Sequence, residues 1–440
     1  RHGCLTTAGP RRDDPPCHSF PPRTDCGGGK VRNSLPGEAT LVTALALFAA
    51  CNTNPVPAGP DAGPGEAAAS PGLVLVAYRA TDEAQDGIAL VDADPASPRF
   101  GEVVQRHPLG QDVLPHHLYW DPAGENLWAT ALGGPFLYRL AVGEGQDGSP
   151  EIIGSQPIPV GDNVMAEDMW FTDNGDRYYV TFLGGHGGKR DGSVGVFSAA
   201  NDTFVKDIRT SADGAEVLWP HGISGDPDAG LLLVTSSDAP PPDVGIGSTV
   251  TAIDLATNEA VETFPIEEGS GPVEVLVLRG DALPRYAIVS TMYGGDLWVA
   301  PFKEDTWGAF TKAVEGDDLG HGTALELYVR KDLEGVPELY VTNADPGVVN
   351  VYGLDALPEL PLKRTIETGA GAHHLTFFES EGRLLLVSQN NLLDIEGLNE
   401  GTLSVTDAIT GEALGDIDLT GEGILPESVE SAWGRGYDQH

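Results

Sequence analysis

Seven short segments along this chain share one pattern: a small or turn-forming start, then a polar or ionisable residue, then a hydrophobic run. They are LPHHLYW from Leu114, MAEDMW from Met165, LWPHGI from Leu218, GPVEVL from Gly271, TALELY from Thr323, GAHHLT from Gly371 and LPESVE from Leu425. Copies recur every ~50 residues, a period that marks a repeat architecture in which no single unit can bury its apolar face alone. Between them lie short β-branched and aromatic runs punctuated by Gly, Asp, Asn and Pro, with almost no helical periodicity.

Within each unit a second strand ends in a small hydroxyl residue after an apolar pair: Thr130, Thr181, Thr235, Thr291, Thr342 and Ser388. Third and fourth strands follow, for example STVTAI and then AVETFPI from Ala260. Six units are complete. The seventh is split: residues 72–109 supply strands two to four (LVLVAY, GIALVD, EVVQRH), and LPESVESAW from Leu425 supplies the missing first strand. Closing a ring with a C-terminal strand removes the exposed edges that threaten an open sheet. The expected fold is therefore all-β, a seven-bladed β-propeller over residues 72–435, closed by a C-terminal strand that completes the first blade. A pair of β-sandwiches leaves the split unit unexplained.

Residues 1–29 are rich in Pro, Arg, Gly and Cys and read as disordered or as a non-native extension. Cys17, His18 and Cys26 are irregularly spaced and lack a convincing fourth zinc ligand. Residues 30–51 have the order of a secretion signal: Lys30 and Arg32, an apolar run of about ten residues, too short to span a bilayer, then Ala-Ala-Cys51. Cys51 so placed resembles a bacterial lipobox and would carry the lipid anchor; an ordinary signal peptide with a chance cysteine is the other reading. Residues 52–71 read as a flexible linker. The expected address is across the inner membrane, as a cell-envelope lipoprotein or periplasmic protein that meets the membrane only through Cys51.

Acidic residues outnumber basic ones 66 to 25, and beyond residue 51 the ratio is 62 to 19. Such a surface repels phosphate backbones, so no nucleic acid is expected as a partner. All four cysteines precede residue 52, so the body has no disulfide, thiolate metal site or cysteine nucleophile. The expected partner is a small-molecule substrate; the sequence identifies no protein partner.

In a propeller the first strand of each blade borders the central channel, so the seven strand starts form a ring around one mouth. In blade order that ring holds Glu427, His116 with His117, Glu167 with Asp168, His221, Glu274, Glu326, then His373 with His374. Five of the nine histidines beyond residue 51 stand at these positions. Imidazole and carboxylate suit a transition metal, and several imidazoles favour copper or zinc; burying such a cluster without a cation or water is costly. The expected ligands are His116, His117, His221, His373, His374, Glu326 and Glu427, with copper as the ion and zinc or calcium as alternatives. Glu274 and Glu167 are the expected proton-transfer residues. A hydrated polar channel with no metal is the competing reading. His186 and His321 are outer candidates on the same face, His107 belongs on an outer strand, and the loops 236–248 and 389–401 overhang the mouth as a partial lid.

VDADPASPRF from Val91, EVVQRHPL and PHHLYWD together resemble the selenium-binding protein family, whose bacterial members include methanethiol oxidases. The likeness continues more weakly through residues 72–432. It implies a seven-bladed propeller and a secreted, copper-dependent enzyme that oxidises methanethiol with oxygen and water to formaldehyde, hydrogen sulfide and hydrogen peroxide. The matching positions are His116, His117, Glu274 and His221. The family's N-terminal cysteine segment has no counterpart in the propeller here. Its C-terminal His-Glu-Leu is replaced by Pro426-Glu427-Ser428, and His373-His374 is an added pair. LYVTN from Leu339 also resembles the broad YVTN-type propeller repeats. The rival functions are a non-catalytic binding or scaffold propeller and a metal-dependent, lactonase-like hydrolase.

Overall fold

Alternation along the strands decides the architecture. In Leu73–Ala80, residues Val74, Val76 and Tyr78 pack to one side and Leu73, Leu75 and Ala77 to the other. Both faces of the sheet are buried, which is why these strands read as nearly continuous apolar runs. A computed structural model describes residues 72–434 apart from 82–83, 146–147, 185–191, 209–218, 239–245, 280–282, 333–334 and 394.

The described residues form seven antiparallel sheets. Blade 1 runs from Ile424–Ser431 on the inside through Leu73–Ala80 and Asp86–Asp92 to Val103–Gly110. Its inner strand is the C-terminal one, paired antiparallel from Val74 opposite Ser431 to Ala80 opposite Ile424. The ring closes as the split repeat predicts. The inner strands of blades 2 to 7 are Pro115–Trp120, Val164–Phe171, Pro220–Asp226, Pro272–Val277, Ala324–Lys331 and Ala372–Ser380.

Seven hydrophobic cores fill the seven gaps between neighbouring blades. The core between blades 7 and 1 joins Val76 and Val91 to Leu385 and Val405, and the one between blades 1 and 2 joins Leu75 and Leu90 to Leu118 and Leu127. Burial of this kind contributes about 25 cal/mol per Å² of apolar surface and dominates the folding free energy.

Blade 5 departs from the simple count. Its third strand, Leu297–Lys303, pairs with two short strands, Thr306–Trp307 and Thr311–Val314. The tight turn at Glu304 and Asp305, both at positive φ, swings Trp307 into the interblade core, and the outer edge resumes only at Thr311. Among the described residues no helix is long and apolar enough to cross a membrane.

Candidate metal centre

Every inner strand is irregular at the same place. Pairing with the second strand jumps from Pro115 to Leu118, Ala166 to Met169, Pro220 to Ile223, Pro272 to Val275, Ala324 to Leu327 and Ala372 to Leu375. Blade 1 has a smaller slip that leaves Glu427 out of register. A bulge of this kind breaks the strict in–out alternation, so consecutive side chains reach the channel. Leu114, Met165, Trp219, Gly271 and Gly371, two residues before five of these six bulged pairs, take positive φ and set the entry turn. The ring thus has two tiers. The first holds His116, Glu167, His221, Val273, Leu325, His373 and Glu427. The second holds His117, Asp168, Gly222, Glu274, Glu326, His374 and Ser428.

The recurrent hydroxyl of the second strands holds these bulges. Thr130, Thr181, Thr235, Ser290 and Thr342 accept from the backbone N–H of His117, Asp168, Gly222, Glu274 and Glu326 at 2.8–3.2 Å. Three of them also donate onward to the next blade: Thr181 to the His221 carbonyl at 2.6 Å, Thr235 to the Val273 carbonyl at 2.6 Å, and Ser290 to the Leu325 carbonyl. In blade 5 this is Ser290 and not Thr291, whose hydroxyl reaches the carbonyls of Tyr293 and Asp296. In blade 7 Gln389 takes the place, its Oε1 accepting from His374 N at 3.2 Å.

Four imidazoles meet in the channel. Ring centroids are 4.6 Å apart for His116–His117, 5.4 Å for His116–His373, 4.4 Å for His117–His374 and 3.9 Å for His373–His374. All four side chains are buried. One nitrogen from each of His116, His117 and His374 lie within 4.8 Å of one another, and so do ligand atoms of Glu326, His373 and His374. On the neighbouring blades the lack of a side chain at Gly222 lets Val273 and Glu274 approach closely. A Cβ on Gly222 would stand 2.6 Å from the Val273 carbonyl oxygen and 2.8 Å from Glu274 Oε2.

Hydrogen bonding sets which nitrogens are bare. His116 Nε2 lies 3.1 Å from Glu167 Oε1, so as donor there it leaves Nδ1 bare; Nδ1 has no hydrogen-bond partner. Tyr119 donates its single proton to Asp168 Oδ1, which also accepts from Met169 N, while Asp168 Oδ2 accepts from Ile223 N at 2.7 Å. The 2.6 Å contact between Tyr119 Oη and His117 Nδ1 must then be donated by the imidazole. His117 Nε2 is consequently unprotonated; it makes no hydrogen bond and lies 3.5 Å from Glu167 Oε1. Carboxylates behind both histidines orient them as outer partners orient metal-bound imidazoles. Bare, buried nitrogens beside a third imidazole fit a transition-metal ion.

The carboxylates divide by environment. Burial opposes the charge on Glu167, yet His116 and His221 outweigh it and hold the acid well below its usual range. Burial would lower His116, and Glu167 overrides it so that the net shift is upward. Glu274 is pushed well above the usual range by burial and by Asp168, Glu326 and Glu167 around it, which favours its protonated form. Burial brings His373 down to about 4 against the pull of Glu326, leaving a neutral imidazole, and also lowers His221.

Of the predicted ligands, His116, His117, His373, His374 and Glu326 come together. His221 stands aside, with Nε2 3.2 Å from Glu167 Oε1 and Nδ1 3.3 Å from Glu274 Oε1. Glu427 faces Arg79 Nε at 3.1 Å and accepts from Asn391 Nδ2 at 3.3 Å. His107 is on an outer strand against Ser155, and His321 is bonded to Asn350. His186 and Cys51 lie outside the described residues, as do 239–245 of the first overhanging loop. The second loop folds inward: Leu392 and Leu398 pack with Val273 and Leu325, giving the mouth an apolar wall over blades 5 and 6. Tyr119, Arg79, Gln389 and Asn391 were not singled out from the sequence. Only Tyr119 carried a signal, two places beyond His117 on a strand of period two.

Fold and channel together define a class: a seven-bladed β-propeller with a possible histidine-rich metal site at its axis. No family model matches the chain, and no curated protein matches it. Solved structures do. A hypothetical selenium-binding protein from Sulfolobus tokodaii superposes with a TM-score of 0.64 at 14% identity, covering 82% of this chain and 94% of that one. The periplasmic gluconolactonase of Pseudomonas aeruginosa gives 0.54 at 13% identity, covering 79% and 96%. A functionally unknown protein from Desulfotomaculum acetoxidans gives 0.53 at 16% identity, covering 81% and 98%. At these identities the likeness is one of fold.

Proposed function

We propose that this chain is an extracytoplasmic propeller of the selenium-binding protein type that holds copper at the channel and oxidises methanethiol or a similar small thiol. The observation that carries the reading is that one nitrogen from each of His116, His117 and His374, all three buried, lies within 4.8 Å of the other two. A set dominated by imidazole suits copper or zinc; calcium takes six to eight oxygen ligands. That donor chemistry weighs against calcium as the ion, and so against a calcium-dependent form of the lactonase reading.

When bound, copper would supply an acceptor for the thiolate and a conduit for electrons to dioxygen. The chain's own residues do the rest. Val273, Leu325 and Leu392 offer the methyl group an apolar wall. Glu274, whose protonated form its surroundings favour, stands 3.3 Å from His221 Nδ1 as a proton donor. Glu167, held ionised, fixes His116. Overall, methanethiol and water give formaldehyde and hydrogen sulfide, and the two electrons and two protons released reduce dioxygen to hydrogen peroxide. Delivery across the inner membrane by residues 30–51, with lipidation at Cys51, belongs to the same proposal.

The test is elemental analysis of protein purified without a histidine tag, followed by peroxide and sulfide assays with methanethiol. Copper with thiol-dependent peroxide supports the reading. Zinc or calcium with esterase or lactonase turnover moves it to a hydrolase. Metal-free protein leaves a binding or scaffold propeller.

A further inference from the structure

The geometry points to a second metal position in the same channel, formed by Glu326 and His373 and adjoining the first through His374, so that the chain holds a pair of ions. This rests on the metal reading above and extends it. Two donor sets occur among the described residues, one of His116, His117 and His374 and one of Glu326, His373 and His374, and no single set spans all five. Two ligands on one ion with bonds near 2.1 Å stand at most about 4.2 Å apart. One ion therefore does not engage all five residues as they are placed.

The second set has the features of a site in its own right. His373 Nε2 is 3.4 Å from Glu326 Oε1. That is about the edge of a tetrahedron with bonds near 2.1 Å. His373 and Glu326 are buried at 3% and 0% exposure. The His373 ring is tilted 35° to that of His374 with centroids 3.9 Å apart, so adjoining ions would be close neighbours. The two sets also differ in kind. The first is all imidazole. The second adds a carboxylate and accepts a harder divalent ion, so copper with zinc, or two coppers, are the pairs its donors admit.

The experiment loads the full chain with cupric or zinc ion, removes weakly held metal by gel filtration through a mild chelator, and counts ions per chain. Two ions are expected in the wild type. Glu326→Gln and His373→Asn should each bring the count to one, as should His116→Asn from the other side, with melting curves confirming that each variant is folded. In the copper-loaded wild type the electron-spin spectrum should show coupling between two centres, and either single-site variant should restore an uncoupled signal. A wild-type count of one with an uncoupled spectrum overturns the second position and leaves the first intact. A count of zero overturns both.

Discussion

Replacing Tyr119 with Phe isolates the device that presents His117 to a metal. The ring stays, packed in the core between blades 2 and 3, and only the hydroxyl goes. That hydroxyl accepts from His117 Nδ1 at 2.6 Å and donates to Asp168. Without it the buried Nδ1–H is orphaned, at a cost of about 1–3 kcal/mol. The imidazole can escape that cost by moving its proton to Nε2, which faces Glu167 Oε1 at 3.5 Å. In doing so it gives up the bare nitrogen. Metal binding must then reverse the switch, and affinity falls by about 10–100-fold, or roughly 1.4–2.7 kcal/mol, the usual effect of losing such an outer partner. The assay is a competition titration of cuprous ion against a chromophoric chelator, run on wild type and Y119F. Tyr340→Phe is the control. Its hydroxyl is also buried and bonded, to Glu338 and Arg364, but lies away from the channel, so that variant should lose stability and keep wild-type affinity. A Y119F dissociation constant within twofold of wild type would refute the tautomer argument and remove His117 from the ligand set.

Thr235→Val should destabilise the propeller by about 2–4 kcal/mol, because it orphans the Gly222 N–H and loses the bond to the next blade at Val273. With an unfolding entropy of ~0.8 kcal/mol/K for a body of ~360 residues, the melting temperature should fall by roughly 3–5 °C; Thr235→Ser keeps both bonds and should fall far less, and equal losses would show that the hydroxyl does not link the blades. Glu338 is opposed by burial but held below its usual range by Arg364 and Lys363. A depressed carboxylate stabilises the fold above its unfolded pKa, and that contribution is lost as pH falls through the folded value. The stability gap between wild type and Glu338→Gln should therefore be widest near neutrality and close on acidification; a gap independent of pH would mean that the ion pairs contribute nothing.

What the sequence reveals follows from how far each signal reaches along the chain. The blade count is legible because seven copies of one strand start, each near its own hydroxyl marker, are local patterns. Ring closure is legible because LPESVESAW resembles LPHHLYW and the first unit lacks that strand. The ring of ionisable residues follows from the same alignment. Its two tiers do not, because a bulge is a property of pairing between strands and leaves no composition behind; the sequence offers only the Pro or Ala that opens each slip. The tautomer of His117 is further out of reach, since the acid that decides it, Asp168, is 49 residues beyond Tyr119 on the next blade. Arg79 reaches Glu427 only after the two ends of the chain meet in blade 1. These are the contacts that choose which nitrogen faces the channel. A chain can therefore advertise a metal site through its histidines while the feature that makes them ligands, a proton held on the far side of each ring, is written in residues that look like ordinary strand.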